Sequence, residues 1–223
     1  MPSHIYTATL NIGRIGFDRK TIGSLAVKVS GTVVGRPMKQ SGVPIYQIKV
    51  TLRHVSPPVW RRIEVPGDTT LDTLHDVLQI VMGWTDSHLH AFCAGGVTYG
   101  MPDPEAGFRD DMKDERNVRL DRIADKGGTL VYEYDFGDGW EHELKIEKRT
   151  SAEKSQNYAI CRAGKRACPP EDCGGPLGYT QLLDALRDPK HEEHEDMLEW
   201  MGDDFDPEAF DLDEINRELR RLL

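Results

Sequence analysis

The sequence predicts an α+β protein, a mainly antiparallel sheet with helices packed on one side and a C-terminal helical segment. Three observations carry this expectation. Tyr46, Ile48, Val50 and Leu52 alternate with Gln47, Lys49, Thr51 and Arg53, which is the two-residue period of a half-buried strand. Two strand-favouring runs between Leu130 and Ile146 flank Gly137-Asp138-Gly139, where positive φ is tolerated, and so read as a β-hairpin. Beyond about residue 179 the period becomes helical. Leu212, Ile215, Leu219 and Leu222 form one apolar stripe behind Asp211 and Glu214 at capping-box spacing.

Taken in order, residues 1–43 form a weakly structured arm of Gly, Ser, Thr and basic residues, with a strand pattern only at Leu25 to Val34. Met38, just before the first strong element, is a second candidate translation start. Residues 44–223 then form a single α+β domain. After the first strand, Ser56-Pro57-Pro58 turns the chain, because neither proline donates to a ladder. A second strand, Val59 to Val65, ends at Pro66-Gly67. A helix follows with Thr69 or Thr70 as cap, Leu71, Leu74, Leu78 and Val81 on one face, and Gly83 just past its end. Leu89 to Cys93 and Val97 to Tyr99 read as short strands, and Met101 to Asn117 as a long polar loop. The hairpin of about Thr129 to Arg149 closes the sheet. Tyr158 to Ala163 is a last strand before helices at about Tyr179 to Arg187, His191 to Met201 and Leu212 to Leu222.

Composition narrows the function classes. Hydrophobic residues make up 38% and charged residues 30%, and no apolar run approaches the roughly 20 residues of a membrane span. No basic start followed by an apolar block marks a secretion signal, so the expected address is the cytoplasm and no membrane partner is expected. The net charge of −10 is unevenly spread. Basic residues dominate residues 1–62 and acidic ones residues 190–214, so the basic end offers a surface for nucleic acid or an anionic protein, or pairs with the acidic end. Without a secretion signal, the four cysteines argue against a disulfide framework.

Several co-linear motifs then match a known pattern. Tyr46-Gln47-Ile48-Lys49-Val50, Pro57-Pro58-Val59-Trp60-Arg61-Arg62, Leu74-His75, Met82-Gly83-Trp84, His88-Leu89-His90, Asp135-Phe136-Gly137-Asp138-Gly139-Trp140-Glu141-His142 and Cys168-Pro169-Pro170-Glu171-Asp172-Cys173-Gly174-Gly175 together resemble the Ri-plasmid ORF-3-like family over about Ile45 to Leu222. The resemblance implies an α+β sheet-and-helix fold, an association with plasmids and mobile elements, and no established activity. Some relatives carry a label as transposon-resolvase passenger proteins. No serine nucleophile with a supporting arginine constellation is found here to match that chemistry.

Three sets of residues are able to carry chemistry. His88 and His90, two apart, with Asp135, Asp138 or His142 offer the mixed nitrogen and oxygen shell of a hydrolytic metal. Cys161, Cys168 and Cys173 lie in a Pro- and Gly-rich loop that zinc is able to brace, with His142, His191 or His194 as a fourth ligand, although the paired C-x2-C knuckles are missing. Lys49, Arg53, Arg61 and Arg62 form a basic strand face, with Trp140 at the rim of a groove, and would either bind a partner or pair with Glu133, Asp135, Glu141 and Glu143. Three weaker patterns lead to nothing. His191-Glu192-Glu193-His194 misses the H-E-x-x-H spacing, Gly174-Gly175-Pro176 reads as a helix lead-in, and Cys93 with His90 is a lone pair. With no complete catalytic constellation, the expectation is a non-enzymatic binding or interaction module. The alternatives are a metal-dependent hydrolase or nuclease and a nucleic-acid-binding accessory protein.

Overall fold

The computed structural model describes residues 42–102, 112–124, 129–152, 159–202 and 205–222. The expectations for the arm as far as residue 41, including Met38 and the strand pattern at Leu25 to Val34, lie outside those residues. The strands are β1 (Pro44–Leu52), β2 (Trp60–Pro66), β3 (His90–Ala94), β4 (Val97–Gly100), β5 (Lys113–Asp114), β6 (Leu130–Tyr134), β7 (Trp140–Ser151) and β8 (Ile160–Lys165). The helices are α1 (Leu71–Met82), α2 (Leu120–Ala124), α3 (Gly175–Arg187), α4 (His194–Met201) and α5 (Leu212–Leu222), and a 3-10 turn spans Glu115–Asn117. The strands form one sheet in the order β5-β4-β3-β6-β7-β1-β2-β8. Every pairing is antiparallel except β4 with β5. No helix among the described residues is long and apolar enough to cross a membrane.

Alternation decides which strand residues face the helices. Tyr46, Ile48, Val50 and Leu52 are buried, and their partners Arg61, Ile63 and Val65 on β2 share that face, where they join Leu71, Leu74, Leu78 and Val81 of α1 in one core. The opposite face is laced with ion pairs. Arg53 reaches Glu141 at 3.0 Å and Glu143 at 3.6 Å, Arg62 grips Glu147 with two bonds of 2.6 and 3.0 Å, and Arg162 meets Glu64 at 2.6 Å. The acidic residues of β7 are thus offset by Arg53, one residue past β1, and by Arg62 on β2, the cross-strand solution to like-charge repulsion.

The structure differs from the sequence expectation in three places. The hairpin sits at the middle of the sheet rather than closing it, because β3 pairs with β6 and β1 with β7. Its left-handed positions are Asp135 (φ 54) and Gly139 (φ 68), not Gly137. In the stretch expected to be a polar loop, residues 103–111 lie outside the described set, while 113–117 form β5 and the 3-10 turn, followed by α2. This segment is stitched to the start of α1 by hydrogen bonds from Leu71 N to the Val118 carbonyl and from Leu120 N to the Thr69 carbonyl, both local to an otherwise non-repeating backbone.

His142 lies deeper than a core boundary. It is 0% exposed, edge-on to Trp84, and donates Nδ1–H to the Tyr132 carbonyl at 3.2 Å while its Nε2 has no partner. Burial pushes its pKa down from 6.5 to about 4. The unfolded chain therefore takes up the proton first, so this stabilising term is intact above pH 6.5 and is lost as pH falls towards 4. Urea denaturation of wild type and His142→Gln at about pH 7 and about pH 4.5 checks this: the wild type loses about 2 kcal/mol more than the variant on acidification. Parallel losses would contradict it.

Candidate functional site

Helix α1 ends where the site begins. Gly83 caps it in the left-handed region (φ 93), donating its N–H to the Gln79 carbonyl. Arg61, whose alternation places it on the core face, is 2% exposed and donates Nε–H to the Val81 carbonyl at 2.6 Å. Its Nη1 reaches the carbonyls of Trp60 and Lys165, and the guanidinium lies over Phe210. A cation at the carbonyl end of a helix is electrostatically favoured there. Arg61 is therefore removed from the proposed basic binding face. Lys49, Arg53 and Arg62 remain on the open face, where Arg53 and Arg62 are ion-paired and Lys49 lies over Trp60. Trp140 is 1% exposed and packs in the core, so it rims no groove.

The loop 83–89 is held from three sides. Trp84 stacks on Tyr134 and donates Nε1–H to the Pro169 carbonyl at 3.0 Å. Thr85 donates its backbone N–H and hydroxyl to the Glu171 carboxylate at 3.2 and 2.7 Å. Asp86 N donates to Gln79 Oε1 at 2.9 Å, and Ser87 N donates to the Tyr134 hydroxyl at 3.0 Å. That hydroxyl donates in turn to Glu171 Oε1 at 2.6 Å. Burial and the adjoining carboxylate push the Tyr134 pKa far up, while burial of Glu171 is outweighed by the hydroxyls of Tyr134 and Thr85, which hold it below the usual range.

This framework brings two histidines face to face. The rings of His75 (α1) and His90 (β3) stack with centroids 3.5 Å apart and planes 6° from parallel. His75 Nε2 lies 2.9 Å from Asp86 Oδ1, and its Nδ1 lies 2.8 Å from the Tyr132 hydroxyl, which also accepts from Gln79 Nε2. His90 Nε2 meets both oxygens of Glu115 at 3.0 Å, and Glu115 is 1% exposed at the head of the 3-10 turn. Ligand atoms of His75, Asp86 and His90 lie within 4.8 Å of one another. They border a cavity of about 390 Å³ whose lining includes Asp72, Asp76, His88, Met112, Arg116 and Phe136. Burial, then the neighbouring His90, lowers the His75 pKa, and burial beside Asp72 and Asp86 raises that of Asp76.

The five residues expected to share one metal shell are divided. His90 belongs to the stacked pair. His88 and Asp135 lie together with Asp172, as a second set of ligand atoms within 4.8 Å. Asp138 instead accepts from Gly174 N at 3.1 Å, and His142 is enclosed in the core. Neither three-residue set found among the described residues contains a cysteine. Cys161 is buried on β8 with Sγ 3.6 Å from the Ala163 carbonyl, and burial raises the pKa of all three thiols, that of Cys173 to about 12. The bonds to Trp84, Thr85, Tyr134 and Asp138 hold the Cys168 to Gly175 loop where a zinc brace was expected. His75, Asp86 and Glu115 were missed. His75 and Gln79, polar and one helical turn apart among buried apolar neighbours, were the readable signal, whereas nothing local marks Asp86 or Glu115.

Residues 44–214 match the model of the plasmid pRiA4b ORF-3-like protein family. The chain belongs to this family. Among family relatives, it is 45% identical over 176 residues to the uncharacterized protein y4hQ of Sinorhizobium fredii, covering 78% of this chain and 89% of that one. It also resembles the crystal structure of MM3350, a protein of unknown function from Methanosarcina mazei Go1, at a TM-score of 0.71 and 38% identity over 77% of this chain and 97% of that one.

Within this family member, the hairpin turn and the Cys-Pro-Gly loop touch where no side chain fits. Gly175 sits in the left-handed region (φ 68), and a Cβ there would drive into the Asp138 carbonyl oxygen. Gly175→Ala is expected to destabilise the fold by at least about 2 kcal/mol in urea denaturation. A change below about 0.5 kcal/mol, the usual range of a neutral surface substitution, would show that the two loops do not dock this way.

Proposed function

We propose that the protein is a metal-dependent hydrolase acting on a small substrate, with the ion held by His75, Asp86 and His90. The observation that carries this reading is that ligand atoms of those three residues lie within 4.8 Å of one another at the wall of the cavity. Two imidazoles and a carboxylate are the donor set of hydrolytic zinc and related ions, and three protein ligands leave a position for water. Held by these residues, a divalent ion would supply an activated water as nucleophile at neutral pH. Further contacts suit the role. His75 Nδ1 lies 2.8 Å from the Tyr132 hydroxyl and His90 Nε2 lies 3.0 Å from Glu115, outer bonds of the kind that would fix metal-bound imidazoles.

Charge narrows the substrate. Asp72, Asp76, Asp86 and Glu115 line the cavity with Arg116 as a cation, and Arg116 is itself paired with Asp114 at 2.7 Å. A divalent ion leaves this pocket short of positive charge, which favours neutral or cationic esters and amides over phosphodiesters. The hydrolase alternative is therefore preferred to the nucleic-acid reading, whose Arg53 and Arg62 already have carboxylate partners.

Elemental analysis of protein dialysed against Zn2+ or Mn2+ tests the assignment, with His75→Ala and His90→Ala alongside. Each variant is expected to lower affinity for the ion at least about 10-fold, and ester or amide hydrolysis by the wild type is expected to stop on chelation. Equal metal content in wild type and both variants would contradict the reading.

A further inference from the structure

Four strand ends meet beside the stacked histidines. β3 starts at His90, opposite Tyr134 at the end of β6, while β4 ends at Gly100 and β5 begins at Lys113 beside Tyr99 of β4. The antiparallel register of β3 with β4 pairs Phe92 with Tyr99, and carried two residues further it sets Met101 opposite His90. The Leu89 carbonyl accepts from Asp135 N at 2.9 Å, which draws the residue before β3 up to the hairpin turn and its next residue, Phe136. From these strand ends Leu89, Met101, Met112 and Phe136 line the cavity that His75, Asp86 and His90 border. One part of the lining thus carries charge and ligand atoms, and another only apolar side chains.

The apolar part is open to solvent. Leu89 and Met101 are each 63% exposed, and the other large apolar side chains exposed among the described residues, Leu177, Leu198 and Trp200, lie away from this cavity. A single exposed leucine needs no explanation. Two such side chains at the mouth of one cavity, next to Met112 and Phe136, form a patch bordered by polar residues, which is the mark of a ligand groove. Folding leaves their area uncovered, so it is available to whatever enters. Met112 is set close to the stacked pair: a Cβ on Gly100 would lie 2.5 Å from its Sδ and 3.1 Å from the His90 carbonyl oxygen, so the thioether rests on bare strand backbone beside His90. Methionine, unbranched and polarisable, adapts its shape to an apolar neighbour.

We infer that these four side chains seat a short apolar chain of the substrate, next to its scissile ester or amide bond. A cavity of about 390 Å³ is in the range of small-molecule sites. Asp72, Asp76 and Glu115 in the same lining disfavour an anionic head group, so the chain belongs to a neutral ester or amide and not to a free fatty acid. The bond that is cleaved rests on the hydrolase reading above, whereas the seat rests on its own residues.

The test compares hydrolysis of ethyl acetate, ethyl hexanoate and hexyl acetate by Zn2+-loaded protein with saturation-transfer NMR of hexanamide on metal-free protein, in wild type, Leu89→Ser and Met101→Ser. A methylene removed from water is worth a factor of about four, so four added carbons, partly covered at an open mouth, are expected to raise kcat/KM over ethyl acetate at least about 10-fold. Preference for ethyl hexanoate places the chain on the acyl side and preference for hexyl acetate on the alcohol side. Each variant is expected to cut that preference at least about 3-fold and to weaken the hexanamide signal. Both side chains are exposed, so the fold is kept, and far-ultraviolet circular dichroism checks it. Equal kcat/KM for the three esters overturns the seat and leaves the hydrolase standing. Hexanamide binding that weakens in both variants, with no ester hydrolysed, keeps the seat and overturns the hydrolase. Hexanamide binding equally strong in wild type and both variants overturns the seat, and neither binding nor hydrolysis in wild type overturns both.

Discussion

The Tyr134 hydroxyl is the atom on which the site depends. It donates to Glu171 and accepts from Ser87 N, so one oxygen ties the central hairpin to the loop after α1 and to the loop before α3. A hydrogen bond to an ionised carboxylate is shorter and roughly twice as strong as a neutral one, and the 2.6 Å separation fits that class. Glu171 then carries the two bonds from Thr85 as well. Three segments distant in sequence are thereby pinned at one part-buried polar point, and removing the hydroxyl would leave Ser87 N without its partner and Glu171 held by Thr85 alone.

From that point the chain builds outwards in two directions. On one side the pinned loop delivers Asp86 and His90 to His75, which α1 offers from its core face beside Gln79 and Tyr132. On the other it delivers His88 to Asp135 in the hairpin turn and Asp172 in the facing loop. Arg61 steadies α1 from below by binding its terminal carbonyl, which explains why a cation is buried on a face otherwise made of Ile, Val and Leu. The motifs singled out in the sequence meet here: Met82-Gly83-Trp84, His88-Leu89-His90, Asp135 to His142 and Cys168 to Gly175 are parts of one junction, not separate sites.

Periodic signals were legible and convergent ones were not. The alternation of β1, the pairing of the two hairpin strands, and the cap of α5, where Glu214 N donates to Asp211 at 2.8 Å, follow from short-range patterns and appear as expected. The same alternation separates Arg61 from Arg62, so the burial of Arg61 beside Ile63 and Val65 was readable from the strand itself. The 3-10 turn and α2 carry too few residues for a period to emerge, which hid Glu115. The five-residue shell failed for a topological reason. β3 begins only at His90, and His88 lies in the bend before it, so the two-residue alternation does not reach His88 and the two histidines serve different neighbours. His142 resembled a ligand by composition, but its strand face points into the core.

Anomalous diffraction from crystals grown with Mn2+ tests the central claim most directly. The account predicts a peak within about 2.3 Å of a ring nitrogen of both His75 and His90, with Asp86 completing the protein ligands. Anomalous signal confined to exposed surface carboxylates, with His75 still bonded to Asp86 and His90 to Glu115, would mean that the stacked histidines are a buried polar network and hold no ion.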